Sequence, residues 1–287
     1  MCSETNAVAV VDLPTERVIH YVTVGSAPAR IVLDRRSRRA FVSNLDSNTI
    51  SVIDLARLDV IGEFDAPNGP LGLAFDEARD TLFYASTSNN TVTALDATNG
   101  RAGGSAIVGG RPGDVAFDAA GERLYVVNAG AGTLSLVETH RKIVATTIAV
   151  EPPATSVVLA PDGRVAYACN GEAGSVSLVD LRSRKAILLV SGLQNPTQLA
   201  LGSDPTRLYV AESGGATVAV VSTTARVVSA RIKSMGRPGP LRVNFAGDRV
   251  FALDPEAGTL CVLDATRQNA LFEIGGFDKP RDLALEA

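Results

Sequence analysis

Two series of residues recur once per repeat and carry most of the side chains able to do chemistry. The first reads Arg30, Gly72, Asp114, Ser156, Gln198, Arg242 and Asp282, each two residues after a proline or its counterpart. The second reads Cys2, Asn44, Ser86, Asn128, Asn170, Glu212 and Asp254, each 42 residues from the next. The first series sets two guanidiniums beside two carboxylates. A guanidinium can hold a carboxylate or phosphate in a two-pronged fork, so the chemistry indicated is recognition of an anionic or zwitterionic small molecule. The flanking positions are uniform while this one varies, so packing is not expected to dictate it. The expected ligand-binding set is therefore Arg30, Asp114, Gln198, Arg242 and Asp282, with Glu212 and Asp254 on the rim. The competing expectation is a solvated opening in which Arg30 and Arg242 simply pair with Asp282. Oxygen donors such as Glu212, Asp254, Asn128 and Asn170 would suit a hard cation. They carry no recognisable metal motif, and no metal, no cofactor and no catalytic residue are assigned.

Other chemistries find no constellation. His20 and His140 fall on an outer strand and in a turn on the face opposite the candidate opening, which removes a histidine base, a zinc or haem ligand set and a Ser–His–acid triad. The pairs Gly103-Gly104, Gly109-Gly110 and Gly214-Gly215 are expected in strand flanks or turns; none precedes a helix, so none is a phosphate loop. The basic run Arg35-Arg36-Ser37-Arg38-Arg39 is one hairpin tip without stacking aromatics. A net charge of −4 speaks against a dedicated nucleic-acid binder. No apolar run is long enough to span a membrane. Three cysteines make no disulfide framework, and Cys169 and Cys261 stand where other repeats carry mostly small residues, so both are expected as buried thiols.

The elements that must position the two series form one repeat. Arg111 to Val150 reads as four short β-type runs, and the run Leu124–Asn128 has counterparts starting at Ala40, Leu82, Ala166, Leu208 and Val250, all in steps of 42. The acid closing the third run, Glu138, matches Asp12, Asp54, Asp96, Asp180 and Asp264, with Ser222 in the remaining place. An acid at the first turn position bonds its own backbone two residues on, so this series is structural. Four strands per unit at a period near 40 predict an all-β fold, a seven-bladed β-propeller of 42-residue, four-stranded repeats. One domain over residues 1–287 is expected, with repeats starting near 28, 70, 112, 154, 196, 240 and 280, and with residues 1–24 completing the last blade. Each first strand follows a proline in most repeats, where fixed φ and a missing N–H are tolerated. Seven such repeats exceed the chain by 7 residues, the length of one strand, so the seventh blade, shared by both termini, is expected to lack its second strand. Three outcomes follow: the flanking strands close up, a partner donates a strand, or the chain is truncated. Truncation is the expectation, because the shortfall lies inside one repeat.

The runs Tyr125-Val126-Val127-Asn128, Phe41-Val42-Ser43-Asn44 and Tyr167-Ala168-Cys169-Asn170, with the flanking Pro-x-x-apolar strands and the runs TLSLVE and TISVID, resemble the YVTN β-propeller repeat. The resemblance covers essentially the whole chain. It implies a binding or scaffold module of the kind found in bacterial and archaeal surface or periplasmic proteins. Related seven-bladed propellers include lactonases and lyases, so a hydrolase or lyase using carboxylates and arginines at the channel mouth is the alternative; the lactonase motif itself is not matched. Fold alone does not choose between them. The expected partners are a protein or a small anionic ligand, with no nucleic acid and no membrane. With no leader at the N-terminus the chain reads as cytoplasmic as written, and as periplasmic or secreted if that terminus is incomplete.

Overall fold

The computed structural model describes residues 1–151 and 153–286; Pro152 and Ala287, both inside the expected domain span, lie outside them. Among the described residues the regular structure is all strand, in six four-stranded sheets and one two-stranded sheet. The two-stranded sheet comes first, with β1 (Ala7–Asp12) and β2 (Arg17–Thr23). Next are β3 (Pro28–Asp34), β4 (Arg39–Asn44), β5 (Thr49–Asp54) and β6 (Asp59–Asp65). The following sheet holds β7 (Pro70–Asp76), β8 (Thr81–Ser86), β9 (Thr91–Asp96) and β10 (Ala102–Ile107). Then come β11 (Pro112–Asp118), β12 (Arg123–Asn128), β13 (Thr133–Glu138) and β14 (Ile143–Ala149). The next is β15 (Ala154–Leu159), β16 (Val165–Asn170), β17 (Ser175–Asp180) and β18 (Lys185–Val190). It is followed by β19 (Pro196–Leu201), β20 (Arg207–Glu212), β21 (Thr217–Ser222) and β22 (Val227–Lys233). The last sheet has β23 (Leu241–Val243), β24 (Arg249–Asp254), β25 (Thr259–Asp264) and β26 (Asn269–Gly275). Every sheet is an antiparallel meander in chain order, and the inner strands of successive sheets lie side by side, the arrangement of a propeller.

Burial explains the strand sequences. The second strands are sandwiched between neighbouring sheets, so Ala40, Phe41 and Val42 are all fully buried and the run is apolar on both faces. The outer strands have one face in water, and β6 alternates exposed and half-buried residues along its length. An apolar cluster fills each junction. Phe41, Ile50, Leu73 and Leu82 join the sheets that start at β3 and β7, and Tyr125, Leu134, Val157 and Ala166 join those that start at β11 and β15. The two-stranded sheet is packed the same way on both sides: Val8 and Val22 against Ile31 and Ile53, and Cys2 against Phe251, Leu260 and Phe277.

The chain ends meet beside that sheet. Cys2 bridges both Pro280 and Ala7, and the Met1 carbonyl accepts the Arg281 N–H at 3.0 Å. Asn44 pairs with Pro28 and Thr49 in the same way. The expectation that no second strand exists here is thus corrected at one end, because Met1 and Cys2 occupy its last two positions. Residues 281–286 run on without a ladder partner among the described residues.

Turn chemistry is repeated with the same regularity. The third-to-fourth turns start at the periodic acid, whose carboxylate accepts backbone N–H groups: Asp54 from Ala56 and Arg57 at 2.7 and 3.0 Å, Asp180 from Arg182 and Ser183 at 3.0 and 2.7 Å. The residue closing each of these turns has positive φ: Glu16, Leu58, Gly100, Lys142, Arg184, Arg226 and Gln268, between 53° and 74°. The pair Gly103-Gly104 lies inside β10, not in its flank, at a pairing irregularity between Ala102 and Gly104.

Candidate functional site

The first series converges. Arg30, Asp114, Ser156, Gln198, Arg242 and Asp282 all line one cavity of about 320 Å³ between the inner strands, with Ile31, Val157, Leu199 and Leu241 beneath them. The volume is at the lower end of small-molecule sites. Arg30, Asp114, Ser156 and Gln198 arrive from the openings of inner strands where the pairing register slips, for example between Pro28 and Arg30 and between Pro112 and Val115. Arg242 comes from the short β23, and Asp282 from the segment after Pro280. Each inner strand is the edge of its sheet, so alternate N–H groups point away from the sheet's own partner strand.

Those free donors explain much of the series. Asp282 accepts the Ile31 N–H at 3.2 Å, Asp114 the Val157 N–H at 3.1 Å, and Gln198 the Leu241 N–H at 3.3 Å. Three side chains thus reach to the next inner strand and clamp alternate junctions of the ring. Gly72 is equally constrained, since a Cβ there would stand 2.0 Å from the Gly113 carbonyl oxygen. The expectation that packing leaves the series free is therefore corrected at Gly72, Asp114, Gln198 and Asp282. Position by position, the junctions demand different residues, which is why the series varies.

The guanidiniums are less committed. Arg242 donates to Asp282 at 2.9 Å and to the Leu241 carbonyl at 2.8 Å. Arg30 does not pair with Asp282 as the competing expectation had it. Its Nε lies 3.9 Å from Asp114 Oδ1, beyond hydrogen-bond reach, and is buried without a partner. Its one hydrogen bond runs from Nη1 to the Ala29 carbonyl at 3.3 Å. Asp114 spends its other oxygen on the Ser156 hydroxyl and the Val157 N–H. The cavity therefore contains two acid–base pairs, one closed and one loose.

Glu212 and Asp254 do not line this cavity. The expectation that they stand on its rim is corrected by their bonding, which lies within their own sheets. Glu212 is fully buried and is held by the Arg231 Nε at 2.9 Å, the Thr217 hydroxyl at 2.7 Å and the Gln194 N–H at 3.0 Å. Asp254 caps the turn after β24, accepting from the N–H groups of Arg237, Glu256 and Ala257. Their asparagine counterparts also bond within their own sheets. Asn44, Asn128 and Asn170 each donate to two hydroxyls of the next strand, as Asn128 does to Thr133 and Ser135 at 3.0 and 2.9 Å. The sequence held a signal for this: Asn44, Asn128 and Asn170 are each followed seven residues on by Ser (Ser51, Ser135, Ser177), whereas Glu212 and Asp254 are followed at that distance by Ala219 and Cys261.

The remaining residues of interest lie elsewhere. His20 is exposed on β2, and His140 lines an outer groove of about 580 Å³ together with Asp76, Arg79 and Lys142. The basic hairpin tip is largely engaged: Arg39 binds Asp34 at 2.7 Å, Arg38 binds Glu286 at 3.2 Å, and Arg35 donates to the Leu285 carbonyl at 3.2 Å. All three cysteines are buried free thiols, and burial pushes the Cys169 thiol up to about 12.

No family model matches the chain, and no curated protein matches it. Among solved structures it is similar to a chain of Kuenenia stuttgartiensis hydrazine synthase, with a TM-score of 0.82 and 18% identity over 91% of this chain and 90% of that one. A likeness at that identity is one of fold, and this chain is accordingly a β-propeller.

Proposed function

We propose that this protein is a non-enzymatic, seven-bladed propeller of the YVTN type, a binding or scaffold module that takes a small anionic ligand at the mouth of its central channel. Supporting the seven-fold reading are the seven apolar junctions and the packing of β1, β2, Met1-Cys2 and residues 280–286 as one unit. The observation that carries the binding reading is Arg30. Its guanidinium is 22% exposed in the axial cavity, with a buried Nε that has no acceptor. A buried donor left unpaired costs about 1–3 kcal/mol, and an anion in the cavity would satisfy it. Arg242, which also lines the cavity, brings a second guanidinium to the same small volume. The hydrolase or lyase reading needs uncommitted carboxylates at the mouth, and Asp114, Asp282, Glu212 and Asp254 each accept two or more hydrogen bonds already.

The test is calorimetric titration of the wild type and of an Arg30→Ala, Arg242→Ala double variant with a panel of small anions: phosphate, citrate and a dicarboxylic amino acid. The expected outcome is saturable binding of at least one anion, weakened ten-fold or more in the double variant. Equal binding by both proteins, or none by either, overturns the reading.

A further inference from the structure

Between the sheets that start at β11 and β15 lies a groove of about 310 Å³, at the end of the blades away from the entry prolines. Arg123 and Glu138 reach it from one sheet, and Arg164, Arg182 and Arg184 from the turns of the next. Leu136, Ala145 and Leu181 form its apolar side. We propose that this groove is a second binding site, which takes a di- or triphosphate group between its four guanidiniums.

The other junctions are the comparison. At the five equivalent places, each of the other four junctions between successive four-stranded sheets carries one Lys or Arg and at least one acid. Arg39 there pairs with Asp80 at 3.8 Å, and Lys142 is accompanied by Asp96 and Glu122. In this groove four arginines against one glutamate leave a formal charge of +3. Arg164 reverses the sign most plainly, since its counterparts include Asp80, Glu122 and Asp248.

The guanidiniums are also uncommitted. The counterparts of Arg123 are paired: Arg39 with Asp34 at 2.7 Å, Arg207 with Asp204 at 3.8 Å and Arg249 with Asp248 at 3.3 Å. Among the described residues, Arg123, Arg164, Arg182 and Arg184 form no ion pair. The acids nearby are spent elsewhere. Glu138 binds Arg141 at 3.4 Å, Asp118 accepts the Ala120 and Gly121 N–H groups, and Asp180 accepts those of Arg182 and Ser183. Asp162 accepts the Arg164 N–H at 3.0 Å.

Four like charges around so small a volume repel one another, and an anion between them relieves this. A single carboxylate would offset one charge. A di- or triphosphate offsets all of the excess and presents oxygens to several guanidinium forks at once. No aromatic side chain lines the groove, so nothing there stacks a nucleobase, and the phosphate group itself is what is recognised.

This site is separate from the axial cavity and does not rest on it. The probe is inorganic pyrophosphate, titrated calorimetrically into the full chain at neutral pH and physiological salt, with the arginine Nε–H resonances followed by NMR. One saturable site is expected, with shifts at Arg123, Arg164, Arg182 and Arg184. Arg164→Asp, which installs the residue found at Asp80 and Asp248, should weaken binding about ten-fold or more, and so should the Arg182→Gln, Arg184→Gln double variant. Two controls should keep the affinity within about two-fold: Arg57→Gln, Arg226→Gln, which removes two charges from other turns of the same face, and Arg30→Ala, Arg242→Ala. ADP distinguishes the sources of the group. Binding as tight as that of pyrophosphate admits a diphosphate carried by a nucleotide, and exclusion of ADP restricts the groove to the free ion; both uphold the site. Absence of pyrophosphate binding, shifts confined to Arg30 and Arg242, or an equal loss in the Arg57, Arg226 variant overturns the proposal, the last because net charge alone would then account for the binding.

Discussion

Asn128 illustrates how a recurring side chain can resemble a site and be a brace. Its two amide hydrogens are spent on Thr133 and Ser135 inside one sheet. Asn128→Ala removes both bonds in a buried place and is expected to lower stability by about 1–3 kcal/mol, measured by urea denaturation, with anion binding unchanged. Gly72→Ala is expected to be at least as damaging, because the new methyl would meet the Gly113 backbone, which is held in a neighbouring inner strand. Ring membership was legible in the sequence: the place two residues after the entry proline grouped Arg30, Asp114, Gln198, Arg242 and Asp282, and they do line one cavity. Their bonding was not legible. The N–H groups that Asp282, Asp114 and Gln198 satisfy belong to the edge strands of neighbouring sheets, and which side chain reaches across a junction leaves no mark in composition or period.

Turns set the scale of elements, and here the repeat was read most fully. The periodic aspartates bond their turn amides as the Asx reading requires. These contacts hold several carboxyls below the ordinary range: Asp54 through the Arg57 and Ala56 N–H groups, Asp96 through the Thr98 hydroxyl and N–H, Asp180 through the Ser183 N–H, and Asp264 through the Arg267 N–H. A carboxyl depressed in the folded state favours folding above its unfolded pKa of about 3.9. That contribution disappears as pH falls through the folded values. The thermal midpoint is expected to be level from neutral pH to about pH 5 and to fall below about pH 4; a midpoint that rises on acidification would contradict this origin. The residues closing the same turns are a second element-scale feature. Exposed Arg184 has φ of 59°, a conformation that disfavours L side chains by about 1–2 kcal/mol. Arg184→Gly is expected to stabilise by up to about 1 kcal/mol, because glycine's greater unfolded-state freedom offsets part of the relief. Only Gly100 marks this position as a glycine in the sequence, so the shared left-handed geometry was hidden behind five kinds of side chain at the other six places.

For the whole molecule, a period of 42 was enough to predict a propeller, and the strands fall where the period puts them. Less visible was how the two ends of the chain share their unit. Cys2 matched the second-strand series by spacing, but only coordinates show Met1 and Cys2 clasped between Ala7 and Pro280, and Asp282 tied to Ile31 and Arg242 across the ring. The central claim is that residues 280–286 and 1–23 are two parts of one blade that closes the ring. It is tested most directly by ending the chain at Pro280 and measuring urea unfolding together with amide exchange. Removing Asp282 strips Ile31 and Arg242 of their acceptor and uncovers β1. The account predicts a lower midpoint, equivalent to at least about 2 kcal/mol, and faster exchange in β1, β2 and β3 than in β15 and β19. An unchanged midpoint with unchanged exchange in β1 and β3 would contradict it.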